Sequence, residues 1–231
     1  MKKIGLIGGM SWESSAVYYE LLNEEVKKKL GGFHSCSCLM ESVDFAEIEK
    51  LQHSQKWDEL CQIMQDKAMI LQNAGAEIIL LCTNTMHLCS EKIQEKLEVP
   101  FLHIAEAAGA EIRNQRLSRV ALLGTKFTME EDFYVKTLKD EFQIEAMIPE
   151  AQDRQLIHDC IYQELVQGKI SEESKEEFIR IIEKLEQRGA QGVILGCTEI
   201  PLLIKQEDVN IPVFDTTRIH AQKAVHLALT S

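Results

Sequence analysis

Gly192-Val-Ile-Leu-Gly-Cys-Thr-Glu-Ile200 is a short apolar run that ends in glycine, cysteine and polar residues. It has an earlier twin. Gly75-Ala-Glu-Ile-Ile-Leu-Leu-Cys-Thr-Asn-Thr85 aligns with Gly189-Ala-Gln-Gly-Val-Ile-Leu-Gly-Cys-Thr-Glu199 at an offset of 114, which sets Thr83 opposite Cys197. Continuous apolar character over so few residues is what a parallel strand shows when both its faces are buried. The twin is not isolated. Ile4-Gly-Leu-Ile-Gly8 matches Val120-Ala-Leu-Leu-Gly124, and Val99-Pro-Phe-Leu102 matches Ile211-Pro-Val-Phe214, at offsets of 116 and 112. Three matches in one order imply two copies of a strand–helix unit, each about half the chain.

Between these strands lie helical segments. Gln55–Asn73 places Trp57, Leu60, Cys61, Met64, Ala68 and Leu71 three and four residues apart, the spacing of one helix face. Ser14–Leu30, ended by Gly31-Gly32, and Ser171–Arg188, opened by Ser-Glu-Glu-Ser, read the same way. A single helix is expected after Thr85, through about Leu97. Strands alternating with helices give an α/β chain of parallel sheets.

The 231 residues carry a net charge of −12, which argues against nucleic acid and anionic membrane surfaces as partners. No apolar run reaches membrane-spanning length, and the apolar segment after Met1-Lys-Lys is too short for a secretory leader. Seven cysteines, an odd number without framework spacing, point to a reducing cytoplasm and unpaired thiols. Cys36 and Cys38 share one strand face and read as packed thiols; no zinc-finger spacing is present, so no metal is expected. Gly8-Gly9 follows a strand but does not form the dinucleotide fingerprint.

In open parallel sheets, ligands bind outside the carboxyl ends of strands. Gly8–Met10, Thr83–Thr85, Gly124–Thr125 and Cys197–Glu199 all lie at such ends. Two halves facing each other across a pseudo-twofold axis would bring Thr83 and Cys197 to one cleft from opposite sides. That arrangement suits removal of a proton from one face of a carbon and its return from the other.

The motifs GLIGGMSWES at the start, CTNTMH at 82–87 and GCTEI at 196–200 resemble those of the aspartate/glutamate racemases, within the cofactor-independent racemase group. The resemblance covers essentially the whole chain. It implies two pseudo-symmetric domains, each a mostly parallel four-stranded sheet flanked by helices, with an active-site cleft between them. The last segment returns to the first domain, giving residues 1–98 with 210–231 as one domain and 99–209 as the other. It also implies thiol-based α-proton exchange with neither pyridoxal phosphate nor metal, and a homodimer. The substrate-binding positions it matches are Met10, Asn84, Thr85, Thr198 and Glu199, with Thr125 a further candidate.

Two departures from the family pattern stand out. The family has a cysteine just before the Asn-Thr of the first motif; here that residue is Thr83, and Cys82 sits one place earlier. One residue along a strand is the opposite face, so Cys82 is expected to point away unless the strand end bends. Cys197 then abstracts a proton from one enantiomer, the L form by family analogy, and Thr83 reprotonates the other face. A hydroxyl without a nearby base abstracts poorly, so the two directions should differ. The family also grips the distal carboxylate with an arginine after the second strand, where this chain offers Gln52. Lys169 is a weaker candidate, and His87, three residues after Asn84, orders the loop. Glu199 holds either Cys197 or the substrate ammonium.

Three other readings stay open. A single-thiol decarboxylase or isomerase would use the same scaffold. A non-catalytic amino-acid-binding protein would bind without turnover. A cysteine hydrolase would want a histidine beside Cys197, and no adjacent residue supplies one.

Overall fold

The computed structural model describes residues 1–230. The chain divides into two compact units: Met1–Ile104 with the segment from His220 onward, and Ala105–Ile219.

The first unit opens with β1 (Ile4–Gly8) and α1 (Trp12–Leu30). Ser11 caps α1 by accepting from the Ser14 N–H at 3.3 Å, and Lys27, Lys28 and Lys29 crowd its last turn, where the helix dipole favours cations. There follow β2 (Cys38–Ser42), α2 (Phe45–His53), α3 (Trp57–Asn73) and β3 (Ile78–Leu81). A 3-10 turn (Thr85–Cys89), α4 (Ser90–Gln94) and β4 (Phe101–Leu102) complete the sheet, whose order is β2-β1-β3-β4 with every pair parallel.

Side chains alternate strictly across this sheet. Ile4, Leu6, Ile78, Leu80 and Cys82 pack on one face with Tyr18, Leu22 and Val26 of α1 and with Ala221 and Val225. Ile7, Ile79 and Leu81 pack on the other with Leu60, Met64, Ala68 and Leu71 of α3. Burial on both faces is why β1 and β3 read as unbroken apolar runs.

The second unit begins with α5 (Ile104–Asn114), then β5 (Arg119–Gly124), α6 (Lys126–Glu130), α7 (Asp132–Phe142) and β6 (Glu145–Met147). Next come α8 (Ala151–Gln163), α9 (Glu172–Gln187) and β7 (Val193–Gly196). The unit closes with α10 (Ile200–Leu203), β8 (Val213–Asp215) and the start of α11 (Thr216–Leu229). Its sheet is again parallel, in the order β6-β5-β7-β8. Helices α8 and α9 pack against β5, and Ser171 caps α9 by accepting from the Ser174 N–H at 3.1 Å.

The three repeats seen in the sequence therefore occupy the same places in the two sheets: β1 and β5, β3 and β7, β4 and β8. The helix-to-strand turns repeat as well. Gly75 and Gly189 hold φ of +91° and +101°, a region that disfavours any residue with a Cβ.

Three expectations are corrected. The sheet pairings draw the division differently from boundaries at 98/99 and 209/210. β4 pairs with β3 (Ile79↔Phe101) and so belongs to the first sheet, while β8 pairs with β7 and belongs to the second. Chain order alone does not say which sheet a terminal strand joins. The single helix expected after Thr85 is a 3-10 turn followed by the five-residue α4. And the cysteines are not all free: Cys61 of α3 is bonded to Cys89 in the 3-10 turn, with Cα atoms 4.8 Å apart. That pair spans elements with no sequence spacing to announce it, and it removes the odd-count argument for thiols throughout. Cys36, Cys38, Cys82, Cys160 and Cys197 remain free. No helix among the described residues is long and apolar enough to cross a membrane.

Candidate active site

The first unit offers the ends of its two central strands. After β1 the chain turns at Gly9, whose φ is +93°; a Cβ there would run into the Val43 carbonyl oxygen. The Gly9 N–H donates to Ser15 Oγ at 2.8 Å, and Ser15 Oγ donates on to the Ser11 carbonyl at 3.0 Å, so α1 clasps the turn that presents Met10. Met10 is buried in the same apolar cluster as Met86.

After β3 the strand alternation persists. The Cys82 N–H still donates to the Ile7 carbonyl at 2.9 Å, and the Cys82 side chain lies fully buried in the α1-side core. Burial pushes its thiol far above the usual range. No bend brings it round, as the one-residue argument expected. Thr83, next along, is half-buried, while Asn84 and Thr85 are buried.

His87 fixes this segment. Its Nδ1–H donates to the Thr83 carbonyl at 2.7 Å, and its Nε2 accepts from the Ile104 N–H at 3.1 Å. Burial foremost, then the neighbouring His103 and His220, hold the His87 imidazole neutral, well below its ordinary pKa. Gln52 is 3% exposed; its amide donates to Met86 Sδ at 3.2 Å, and its Oε1 has no hydrogen-bond partner. An orphaned buried amide oxygen costs about 1–3 kcal/mol, and a bound ligand can relieve such a cost.

In the second unit, Thr125 and Cys197 directly follow the paired residues Gly124 and Gly196, so they stand side by side at adjacent strand ends. Thr125 serves as the α6 N-cap: its Oγ1 accepts from the Thr128 N–H at 3.2 Å. Cys197 is 9% exposed and Glu199 6%. The Cys197 thiol donates to Glu199 Oε2 at 2.9 Å, and the Thr198 hydroxyl donates to the same oxygen at 2.7 Å. Burial, then the Glu199 charge, raise the thiol well above its ordinary pKa; the N–H groups of Glu199 and Thr198 oppose them. The thiol at rest is therefore protonated, with its proton shared towards a carboxylate. Cys197 and Glu199 stand two residues apart in the turn after β7, and that closeness in the chain is the only trace of this contact in the sequence.

Helix α10 after this motif spans only four residues, a single turn. Lys169 lies exposed, with its ammonium donating to Gln167 Oε1 at 2.9 Å. The contacts of Tyr18 and His220 with the His87 neighbourhood had no signal in the sequence, because they join residues more than a hundred positions apart. Among the described residues no group of three or more His, Cys, Asp or Glu is arranged to hold a metal.

The sequence profile of the Asp/Glu/Hydantoin racemase family matches residues 7–224. The chain belongs to that family. Family membership places it with isomerases that act on small amino-acid substrates. The broad specificity amino-acid racemase RacX of Bacillus subtilis (strain 168) is 25% identical over 96% of both chains. A Yersinia pestis structure described as a candidate Asp/Glu racemase superposes with a TM-score of 0.94 at 47% identity, covering 100% of each chain. A Pyrococcus horikoshii aspartate racemase homologue superposes with a TM-score of 0.85 at 39% identity, covering 99% of each. The racemases share the fold of paired four-stranded parallel sheets described above.

Proposed function

We propose that this family member racemises aspartate or glutamate, with Cys197 and Thr83 serving opposite faces of the α-carbon. The observation that carries the reading is the Cys197–Glu199 contact, a buried thiol already directed at a proton acceptor. Its counterpart is Thr83, the accessible residue of a strand end whose cysteine is sealed in the core.

The step balances in protons alone. Substrate binding brings the α-ammonium near Cys197, where its positive charge favours the thiolate. The thiol proton passes to Glu199, and the thiolate takes the α-hydrogen of the L enantiomer. The electron pair left on carbon delocalises into the α-carboxyl group. The Thr83 hydroxyl gives a proton to the opposite face and is reprotonated from water, and Glu199 releases the proton it took to water, so thiol, carboxylate and hydroxyl all return to their resting states. Among the described residues no carboxylate or imidazole accepts from the Thr83 hydroxyl, so the reverse abstraction is slower and the enzyme is asymmetric. No redox or carbonyl cofactor enters this sequence.

Backbone N–H groups at Met10, Asn84, Thr85, Thr198 and Glu199 and the Thr125 hydroxyl are the donors for the substrate carboxylates. Gln52 is the position matched to the family's arginine, and its amide N–H, which now donates to Met86 Sδ, is the group that would turn to donate to a distal carboxylate. We further read the protein as cytoplasmic and as a homodimer, the latter in keeping with Trp12, Tyr19, Leu30 and Phe33 exposed in and just after α1.

The test is incubation with L-aspartate or L-glutamate in deuterated water, followed by proton NMR and chiral chromatography. Deuterium at the α-carbon together with the D enantiomer is the expected result. Binding without exchange would overturn it. Sequestration of Cys82 leaves one usable thiol, which also suits a decarboxylase; loss of carboxyl carbon in the same NMR spectra would identify that reaction instead.

A further inference from the structure

Thr83 sits two residues beyond Leu81, the last paired residue of β3, where the ladder no longer fixes the backbone. Its carbonyl is nevertheless held by His87 Nδ1 at 2.7 Å. The ring that holds it has only one possible tautomer. The Ile104 N–H can only donate, so His87 Nε2 must accept and the proton must sit on Nδ1. A second ring is fixed in the opposite sense. The Leu102 carbonyl can only accept, so His220 Nε2 carries the proton, at 2.9 Å, and His220 Nδ1 accepts from the Tyr18 hydroxyl at 2.8 Å. Both imidazoles thus grip the same short segment, one at Leu102 and one at Ile104. Their ring centroids lie 5.8 Å apart, and the His103 ring stands edge-on to His87 at 4.7 Å.

We infer that His87 is a positioning residue for Thr83: it orients the threonine backbone, and through it the hydroxyl, while taking no proton from substrate. The inference rests on the proposed racemase reading for its kinetic consequence, though not for its geometry. His87 is fully buried, and both its nitrogens are committed to backbone groups, so it is not a base. A neutral ring locked by two backbone contacts gives Thr83 one direction instead of several. Placement of a reacting group is where large rate factors arise. The effect should be confined to the Thr83 face, since every contact in the chain Tyr18–His220–Leu102–Ile104–His87–Thr83 lies within the first unit.

The experiment compares two rates in one sample of wild-type, His87→Ala and His87→Gln protein in deuterated water. One is deuterium entry into the L-substrate pool, which needs only Cys197; the other is formation of the D enantiomer, which needs both faces. In His87→Ala, D-enantiomer formation should fall about tenfold or more while deuterium entry into the L pool stays within about threefold. His87→Gln, which keeps an N–H donor, should recover part of the loss. In a Thr83→Ala background the His87 substitution should cost nothing further, because the residue it positions is gone. Parallel loss of both rates, or full additivity with Thr83→Ala, would overturn the proposal. Long-range nitrogen–proton NMR of the wild-type imidazoles tests the geometry without any variant. An Nδ1–H tautomer at His87 is expected, and an Nε2–H tautomer sinks the inference whatever the activity. A wild-type protein that neither exchanges nor inverts its substrate, yet shows the Nδ1–H tautomer, refutes the racemase reading and leaves the backbone clamp standing.

Discussion

Cys197 Sγ stands 2.9 Å from Glu199 Oε2, donor and acceptor both buried at the end of β7. The contact makes the carboxylate responsible for part of the rise in the thiol pKa, after burial itself.

Replacing Glu199 by glutamine removes a negative charge and a proton acceptor together. Loss of the charge lowers the Cys197 pKa, so alkylation by iodoacetamide at a fixed pH should quicken and its pH profile should move to lower pH. Loss of the acceptor should reduce turnover of the L enantiomer by at least about tenfold. An unmoved alkylation profile would show that the carboxylate does not hold the thiol proton.

The strand faces separate Cys82 from Thr83. Cys82→Ala should cost about 1 kcal/mol or more of stability, as a core truncation, and leave catalytic rates within about threefold. Thr83→Ala should cut inversion by about a hundredfold while leaving a measurable residual rate, and Thr83→Cys, which supplies a second thiol, should raise the rate from the D enantiomer relative to the L. Equal initial rates from both enantiomers in the wild type would remove the asymmetry on which this rests.

Burial holds His103 down at a pKa of about 4 and His220 at about 3, against an ordinary value near 6.5. As pH falls below 6.5, the unfolded chain takes up these protons and the folded chain does not. Stability is therefore complete above that pH and is lost through the window from 6.5 towards 4 and 3. Each histidine contributes roughly 1.4 kcal/mol per pH unit within its window. Melting temperatures should hold level from pH 7.5 to about 6.5 and then fall towards pH 5.5, above most carboxylate titrations, and His103→Gln should flatten that fall. A flat wild-type profile would contradict the buried neutral rings.

The Cys61–Cys89 bond closes a loop with a sequence separation of 28. Loop-closure entropy gives it about 3–4 kcal/mol of stabilisation. Dithiothreitol should lower the melting temperature by several degrees, and Cys61→Ser should show the lower value with and without the reductant. A wild-type melting curve indifferent to dithiothreitol, together with two titratable thiols at these positions, would show that the bond does not form.

Much of the fold was legible before any coordinates. The paired motifs around Thr83 and Cys197, the matched strands at Ile4 and Val120, and the glycines at 75 and 189 identify two parallel α/β units. The face on which Cys82 lies was legible too, since strand alternation is a property of local backbone geometry. Apart from the Cys197–Glu199 contact, the partners of the site residues were not. Gln52 meets Met86, His220 reaches across 118 positions to Leu102, and Cys61 pairs with Cys89.

Sequence by itself determined the duplicated strand–helix order, the apolar runs and the polar strand ends, because hydrophobic periodicity and turn chemistry act over a few residues. Only the tertiary structure decided that β4 and β8 close separate sheets, that two histidines with opposite tautomers grip one segment, and which thiols are bonded or buried. Those outcomes depend on distances between groups remote along the chain, which packing sets and local propensity does not encode.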